Sequence, residues 1–305
     1  MQWNKQFASF IISLCALLLL SSIKTYSQEN IAKNFLNYFP DTALAQLVAA
    51  HLNKMSTDNV TIKELASIKG YFECGPGEIS NLKGIGYLTG IESFNCCKNN
   101  VSILPTEIGK LINLKSLDLC KAFELDTIPP EIGKLKKLTY LRLCMTQVRT
   151  IPPEIGNLIN LDTLWILFNN LTYLPKEIGR LKNLKSLFID GNNLTFLPKE
   201  IGKLKNLESL EAGSNQLQLI PPEICELPNL LFLSLGHNKL NALPENIGDL
   251  HKLESLYLFE NNLRKLPKSI VHLSNLKHLN VYDNYNLSES YKRYLPILLQ
   301  KEKIN

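Results

Sequence analysis

Apolar residues recur along most of the chain in a fixed order. The clearest copy runs Leu181, Leu184, Leu187, Ile189, Asn192, Leu194, Leu197, Pro198, with polar residues between. It closes on a phrase, Leu-Pro-x-Glu-Ile-Gly, that reads Leu104–Gly109, Ile128–Gly133 and Ile151–Gly156, and returns at Leu174, Leu197, Ile220, Leu243 and Leu266. The step from Leu104 to Ile128 is one residue longer than the later steps, which are all equal. A constant period of about 23 residues is the sequence form of a stacked-repeat solenoid. Within a unit, Leu187 and Ile189 alternate with Ser186, Phe188 and Asp190, which predicts a short strand with the first two inward and the last three outward. The following asparagine is expected to turn the chain out of the strand and bond backbone groups of its own and the neighbouring coil. The proline marks the far side, where a short helical turn starts. Aligned on that asparagine, nine units are expected: Asn99, a disrupted second unit without it, Thr146, Asn169, Asn192, Asn215, Asn238, Asn261 and Asn284. The second unit, Leu117–Leu125, carries one extra residue, so a local bulge is expected there.

The ends lack this pattern. Residues 1–27 read as a secretory signal peptide: Lys5 supplies charge, Ala8–Leu20 is an apolar run, and Thr25 and Ser27 precede a cut at Ser27/Gln28. That run is shorter than the roughly 18 residues a spanning helix needs, so no transmembrane anchor is expected. Between 28 and 81 two helices are predicted. Asp41 caps the first, whose stripe is Leu44, Leu47, Val48, His51 and Leu52; Thr61 and Glu64 form a capping box at the second. His51 reads as a flank or core residue because it has no partner at metal spacing. A helical cap over the open face of the first coil is what a solenoid requires. Residues 288–305 read as a closing cap, with Tyr291, Tyr294, Leu295 and a break at Pro296.

Phe39-Pro40-Asp41 with Leu44-Ala45, Val48-Ala49 and Leu52, followed by Val60-Thr61, Glu64-Leu65 and Ile68, resembles the helical cap of internalin-type bacterial leucine-rich-repeat proteins. Ile79–Leu88 resembles the run from that cap into the repeats. The Leu-Pro-x-Glu-Ile-Gly phrase and its period depart from the usual internalin repeat and are closer to those of Ras-suppressor-like proteins. The resemblance covers about residues 39–287. It implies an α/β architecture: a right-handed leucine-rich-repeat horseshoe with a parallel concave sheet, a helical cap at 28–81 and repeats over 82–287. It also implies a concave face that binds a protein partner.

Composition narrows the class. The chain is 45% hydrophobic and 20% charged, ordinary for a folded domain. Its net charge of +5 falls to +3 once Lys5 and Lys24 are removed with the signal segment. That is too weak for nucleic acid, and the basic residues are dispersed through the repeats. A monomer is expected. No G-x-S-x-G, Walker, H-E-x-x-H or kinase signature is present, so neither enzyme activity nor a cofactor or metal is expected. The recurring glutamates, Glu107 to Glu200, belong to the scaffold.

Two features escape the repeat. Cys74, Cys97, Cys120 and Cys144 recur at the local repeat period, with the last step one residue longer, which predicts one column at successive strand ends. It reads either as a small buried position or as the place of one disulfide, since adjacent strands lie within bridging distance in an oxidising compartment. Cys96 falls at an inward position and Cys225 replaces a turn glycine. The outward strand positions collect aromatic residues: Tyr140 and Arg142; Trp165, Leu167 and Phe168; Phe188 and Asp190; then Phe232, His237, Tyr257, Phe259, Tyr282 and Tyr285. Aromatics with arginine are the usual composition of interface hot spots. The functional expectation is a secreted, periplasmic or cell-surface scaffold binding a protein through Tyr140, Arg142, Trp165, Leu167, Phe168, Phe188, Tyr257, Phe259 and Tyr282. The alternatives are the recognition part of an effector, or a carbohydrate-binding surface protein.

Overall fold

The computed structural model describes residues 32–288. The expected signal segment, and all of the expected closing cap beyond Ser288, lie outside those residues.

The N-terminal cap is an antiparallel ribbon, β1 (Lys33–Asn34) against β2 (Asn59–Val60), with three helices: α1 (Phe35–Tyr38), α2 (Thr42–His51) and α3 (Ile62–Ser67). Both predicted helix starts are present. Asp41 Oδ1 accepts the Leu44 N–H at 3.0 Å, and Thr61 and Glu64 exchange side-chain and backbone bonds as a complete capping box. Asp41 also fastens the cap to the first coil, because its Oδ2 accepts the Ser80 and Asn81 N–H groups at 2.9 and 3.1 Å. Burial alone would raise its pKa, but these donors outweigh it and hold the carboxyl below its usual range. Cap and coil meet so closely at Gly84 that a Cβ there would lie 2.1 Å from the Tyr38 carbonyl oxygen, and its φ is +94°. His51 sits on the flank of α2, bonded to the Leu47 carbonyl and stacked on Phe72.

Ten strands follow in sequence order in one parallel sheet: β3 (Gly70–Glu73), β4 (Ile91–Asn95), β5 (Ser116–Asp118), β6 (Tyr140–Arg142), β7 (Thr163–Trp165), β8 (Ser186–Phe188), β9 (Ser209–Glu211), β10 (Phe232–Ser234), β11 (Ser255–Tyr257) and β12 (His278–Asn280). The first, β3, lies inside the 28–81 segment, so the sheet begins before the repeat pattern does. Leu117, Leu141, Leu164, Leu187 and Leu210 are all fully buried and pair across successive strands. On the far side each coil makes a short 3₁₀ arc, such as Lys176–Arg180, started by a proline at φ −66°. The phrase's glycine is needed there because a Cβ on Gly179 would lie 2.5 Å from the Glu200 carbonyl oxygen of the next arc. Where Cys225 replaces it, the next arc shrinks to Ile247–Asp249.

The expected bulge is not in a strand. Ser116 to Asp118 pair with Tyr140 to Arg142 without a register shift. The extra residue is absorbed between Ala122 and Leu125, within the stretch where it was expected and ahead of the isolated Thr127–Thr150 bridge. The asparagines form a ladder. Asn192 Nδ2 donates to the Ile166 carbonyl of the preceding coil at 2.8 Å, while its Oδ1 accepts the Leu171 N–H at 3.0 Å. Asn215, Asn238, Asn261 and Asn284 repeat both bonds. Thr146 joins through its hydroxyl, which donates to Asn169 Oδ1.

Asn192→Ala leaves a buried N–H and a buried carbonyl without partners, and unsatisfied buried groups cost about 1–3 kcal/mol each. The expected loss is about 2–4 kcal/mol, read as a lowered urea midpoint by circular dichroism. A loss under about 0.5 kcal/mol, the scale of an ordinary surface substitution, would show the ladder to be dispensable.

Candidate protein-binding surface

Because every inward strand position is filled by the core, the alternate residues form a continuous outer face on the sheet. Strand register sets its neighbours: Asp118 lies opposite Arg142, Arg142 opposite Trp165, Trp165 opposite Phe188, and Phe188 opposite Glu211. Four sequence-predicted residues are thereby brought together. The Trp165 ring meets Phe188 edge-on at 5.0 Å and Tyr140 at 6.3 Å. The Arg142 guanidinium lies 5.0 Å from the centre of the Trp165 ring and bonds Asp118 Oδ2 at 3.3 Å. Arg142 Nε and Trp165 Nε1 are covered and have no acceptor among the described residues. Leu167 is half-buried just beyond β7. Phe168 stands at the turn, 54% exposed with φ +53°, against Gly191.

A second group lies on the later strands. Phe232 packs on Tyr257 at 5.3 Å, and His237 meets Phe259 at 4.9 Å while bonding Glu260 at 2.7 Å. Tyr282, 74% exposed, follows on the next coil, where its carbonyl accepts the Glu260 N–H at 2.9 Å. Between the two groups sit Asp190 and Glu211, half-buried. Asp190 Oδ1 accepts the Gly213 N–H at 2.8 Å, but Oδ2 has no donor. Burial pushes the Asp190 carboxyl up to about 6, with the Gly213 bond pulling the other way. Burial and the Asp190 charge raise Glu211 as well. Glu211 and Asp118 were not among the residues singled out from the sequence. The available signal was an acid at an outward position between aromatic ones.

The cysteines do not form the single expected column. Glu73 lies opposite Asn95, one position short of the repeat period, so Cys74 meets the inward Cys96 instead of Cys97. The regular spacing misleads there because the first coil is one residue shorter than the count assumes. Cys97, Cys120 and Cys144 do adjoin one another, and Cys97 Sγ donates to Asp118 Oδ1 at 2.9 Å. All six described cysteines are free. The Cys120 thiol and burial raise Cys144. The Cys144 thiol pulls Cys120 down, but the Cys97 thiol and burial together outweigh it. Both thiols are therefore protonated at neutral pH and poor nucleophiles. No group of three His, Cys, Asp or Glu among the described residues could hold a metal ion. No described helix is long and apolar enough to cross a membrane.

A leucine-rich repeat region model matches residues 71–166, 126–219 and 215–295. Over 83 residues the chain is 31% identical to internalin J of Listeria monocytogenes, a match taking in 27% of this chain and only 9% of internalin J. A solved functional domain of that protein, described as including a cysteine ladder, aligns with TM-score 0.59 at 20% identity over 85% of this chain and 63% of that one. At that identity the likeness concerns the fold alone. Internalin C2 of the same species aligns at TM-score 0.60 and 25% identity, covering 77% of this chain and 98% of its own. The Arabidopsis receptor kinase HAESA, solved with the peptide hormone IDA and the co-receptor SERK1, aligns at TM-score 0.58 and 27% identity over 71% of this chain and 40% of that one.

The raised carboxyl of Asp190 makes a signed prediction. A folded-state pKa above the unfolded value means that the folded state binds the proton more tightly, so stability falls as pH rises from about 4 to about 6. A rise of that size, discounted for partial solvent screening, corresponds to about 2 kcal/mol. Asp190→Asn removes the ionisation, so it is expected to stabilise the protein by that order at about pH 7.5 and to be near neutral at about pH 4. Urea midpoints at the two pH values measure it. An equal effect at both would refute the assignment.

Proposed function

The chain belongs to the leucine-rich-repeat family, and from that premise we propose that it is an exported scaffold that binds a protein partner on the concave face of its sheet. The observation that carries the reading is the Tyr140–Trp165–Phe188 cluster with Arg142 laid over the indole. It forms a preassembled aromatic anchor on a face that this chain leaves uncovered among its described residues. Trp, Tyr and Arg at the centre of a patch are the residues whose truncation usually costs most in binding. Leu167 and Phe168 extend the patch toward the turns, and Tyr257, Phe259 and Tyr282 extend it toward the later repeats. HAESA, whose fold aligns with this chain, was solved with peptide and protein partners, which is a precedent for this use of the architecture. Export is supported by the apolar run Ala8–Leu20 behind Lys5. The role is recognition without catalysis, by a monomer.

Immobilised protein is expected to capture a partner from its native surroundings, and Trp165→Ala/Phe188→Ala to weaken that capture by about tenfold or more, the scale of hot-spot loss. Unchanged capture by the double variant would remove the assignment of the face, and binding on a glycan array would point to a sugar ligand instead. Cell fractionation is expected to place the protein in an exported fraction; exclusively cytoplasmic protein would remove that part.

A further inference from the structure

We propose that Cys97 and Cys120 are a redox pair: an external disulfide, of the kind oxidised glutathione provides, converts their thiols into one disulfide bond, and the change reaches Arg142 and Trp165 through Asp118. This chemistry is independent of whether the concave face binds a partner.

Backbone bonds carry the sheet past the strand ends. The Cys96 N–H donates to the Asp118 carbonyl and the Lys98 N–H to the Cys120 carbonyl, both at 2.9 Å, so Cys97 lies directly opposite Cys120. Both continue the outward alternation of Asn95 and Asp118, on the face toward which the sheet curves, where side chains converge. Opposite residues of neighbouring strands lie about 4.8 Å apart, inside the roughly 4.4–6.8 Å Cα separation of disulfides. The Cys120 thiol touches the Cys97 thiol on one side and the Cys144 thiol on the other. Access separates the two neighbours. Cys97 is half-buried, whereas Cys120 and Cys144 are buried, and Cys144 is bonded to Arg142. An accessible thiol beside a covered one is the arrangement of a redox-sensing pair. Cys96 is closed off in the core against Cys74.

The exchange proceeds in two steps. Cys97 Sγ, its proton lost to water, attacks one sulfur of the oxidant and expels the first thiolate. Cys120 Sγ, its proton lost in turn, attacks Cys97 Sγ and expels the second, its contact with Cys97 supplying the proximity. The two cysteines give up two protons and two electrons, and the oxidant becomes two thiols. Asp118 registers the change. Its Oδ1 accepts the Cys97 thiol at 2.9 Å and the Cys120 N–H at 3.0 Å, and its Oδ2 pairs with Arg142 at 3.3 Å. The disulfide removes the thiol donor. The carboxylate then relies more on Arg142, which is drawn toward it and displaced over the Trp165 ring, now 5.0 Å away.

The protein is incubated in native buffer with oxidised glutathione, its remaining thiols are blocked with iodoacetamide, and its tryptic peptides are read by mass spectrometry. A link between peptides 84–98 and 116–121, lighter by two hydrogens than the reduced pair, is expected. It is expected to persist in Cys96→Ala and Cys144→Ala and to be lost in Cys97→Ala. Trp165 emission, taken as the difference from Trp165→Phe because Trp3 also emits, is expected to change on oxidation and to return with dithiothreitol. In Cys97→Ala it is expected to stay unmoved. No such link, a link from 116–121 to 143–149 in its place, or one that survives in Cys97→Ala would overturn the pair. A link formed without any change in Trp165 emission would overturn the transmission through Asp118.

Discussion

A single coil cannot enclose its own leucines, so every coil here depends on the one beside it, and the asparagine amide is what ties the two. Asn192 reaches back to the Ile166 carbonyl and the Leu171 N–H, two backbone groups of the preceding coil that would otherwise be buried and unpaired. The same pair of bonds at Asn215, Asn238, Asn261 and Asn284 fixes the spacing and register of the later strands. Departures are confined to the early units. Thr146 substitutes a hydroxyl, and Ala122 carries no amide, its turn held by backbone bonds to Leu119 and Leu125. The cap answers the same need at the first coil, where Asp41 supplies acceptors to Ser80 and Asn81 in place of a preceding coil.

A scaffold held this firmly by its inward residues leaves its outward ones free to differ. The consequence is a row set by register alone, with two aromatic residues between charged ones: Asp118, Arg142, Trp165, Phe188, Glu211 across consecutive strands. Arg142 is paired with Asp118 and stacked on Trp165, so it packs as part of the aromatic group. Among the described residues Asp190 and Glu211 have no such neutralisation. The face thus combines a packed aromatic group with a half-buried acidic pair.

The cysteines show how far spacing carries. Their regular intervals place Cys97, Cys120 and Cys144 side by side, as the period implies. The same counting fails for Cys74, because one coil is a residue shorter and a one-residue slip moves a side chain from the outer face to the core. Cys225 is legible as a replaced glycine. That its side chain coincides with a shortened arc in the following coil requires seeing how closely successive arcs approach.

What the chain order alone determined is local and periodic: the repeat, the alternation of inward and outward residues, the ladder positions, the helix caps at Asp41 and Thr61, and the aromatic stripe. Each follows from side-chain direction or from bonds made within a few residues. What only the tertiary structure decided are relations across coils: Cys74 against Cys96, Arg142 between Asp118 and Trp165, the extra residue absorbed after Ala122, and Asp190 beside Glu211 with no cation among the described residues. These depend on which residues of successive coils come to lie side by side, and a difference of one residue in a single coil changes the answer.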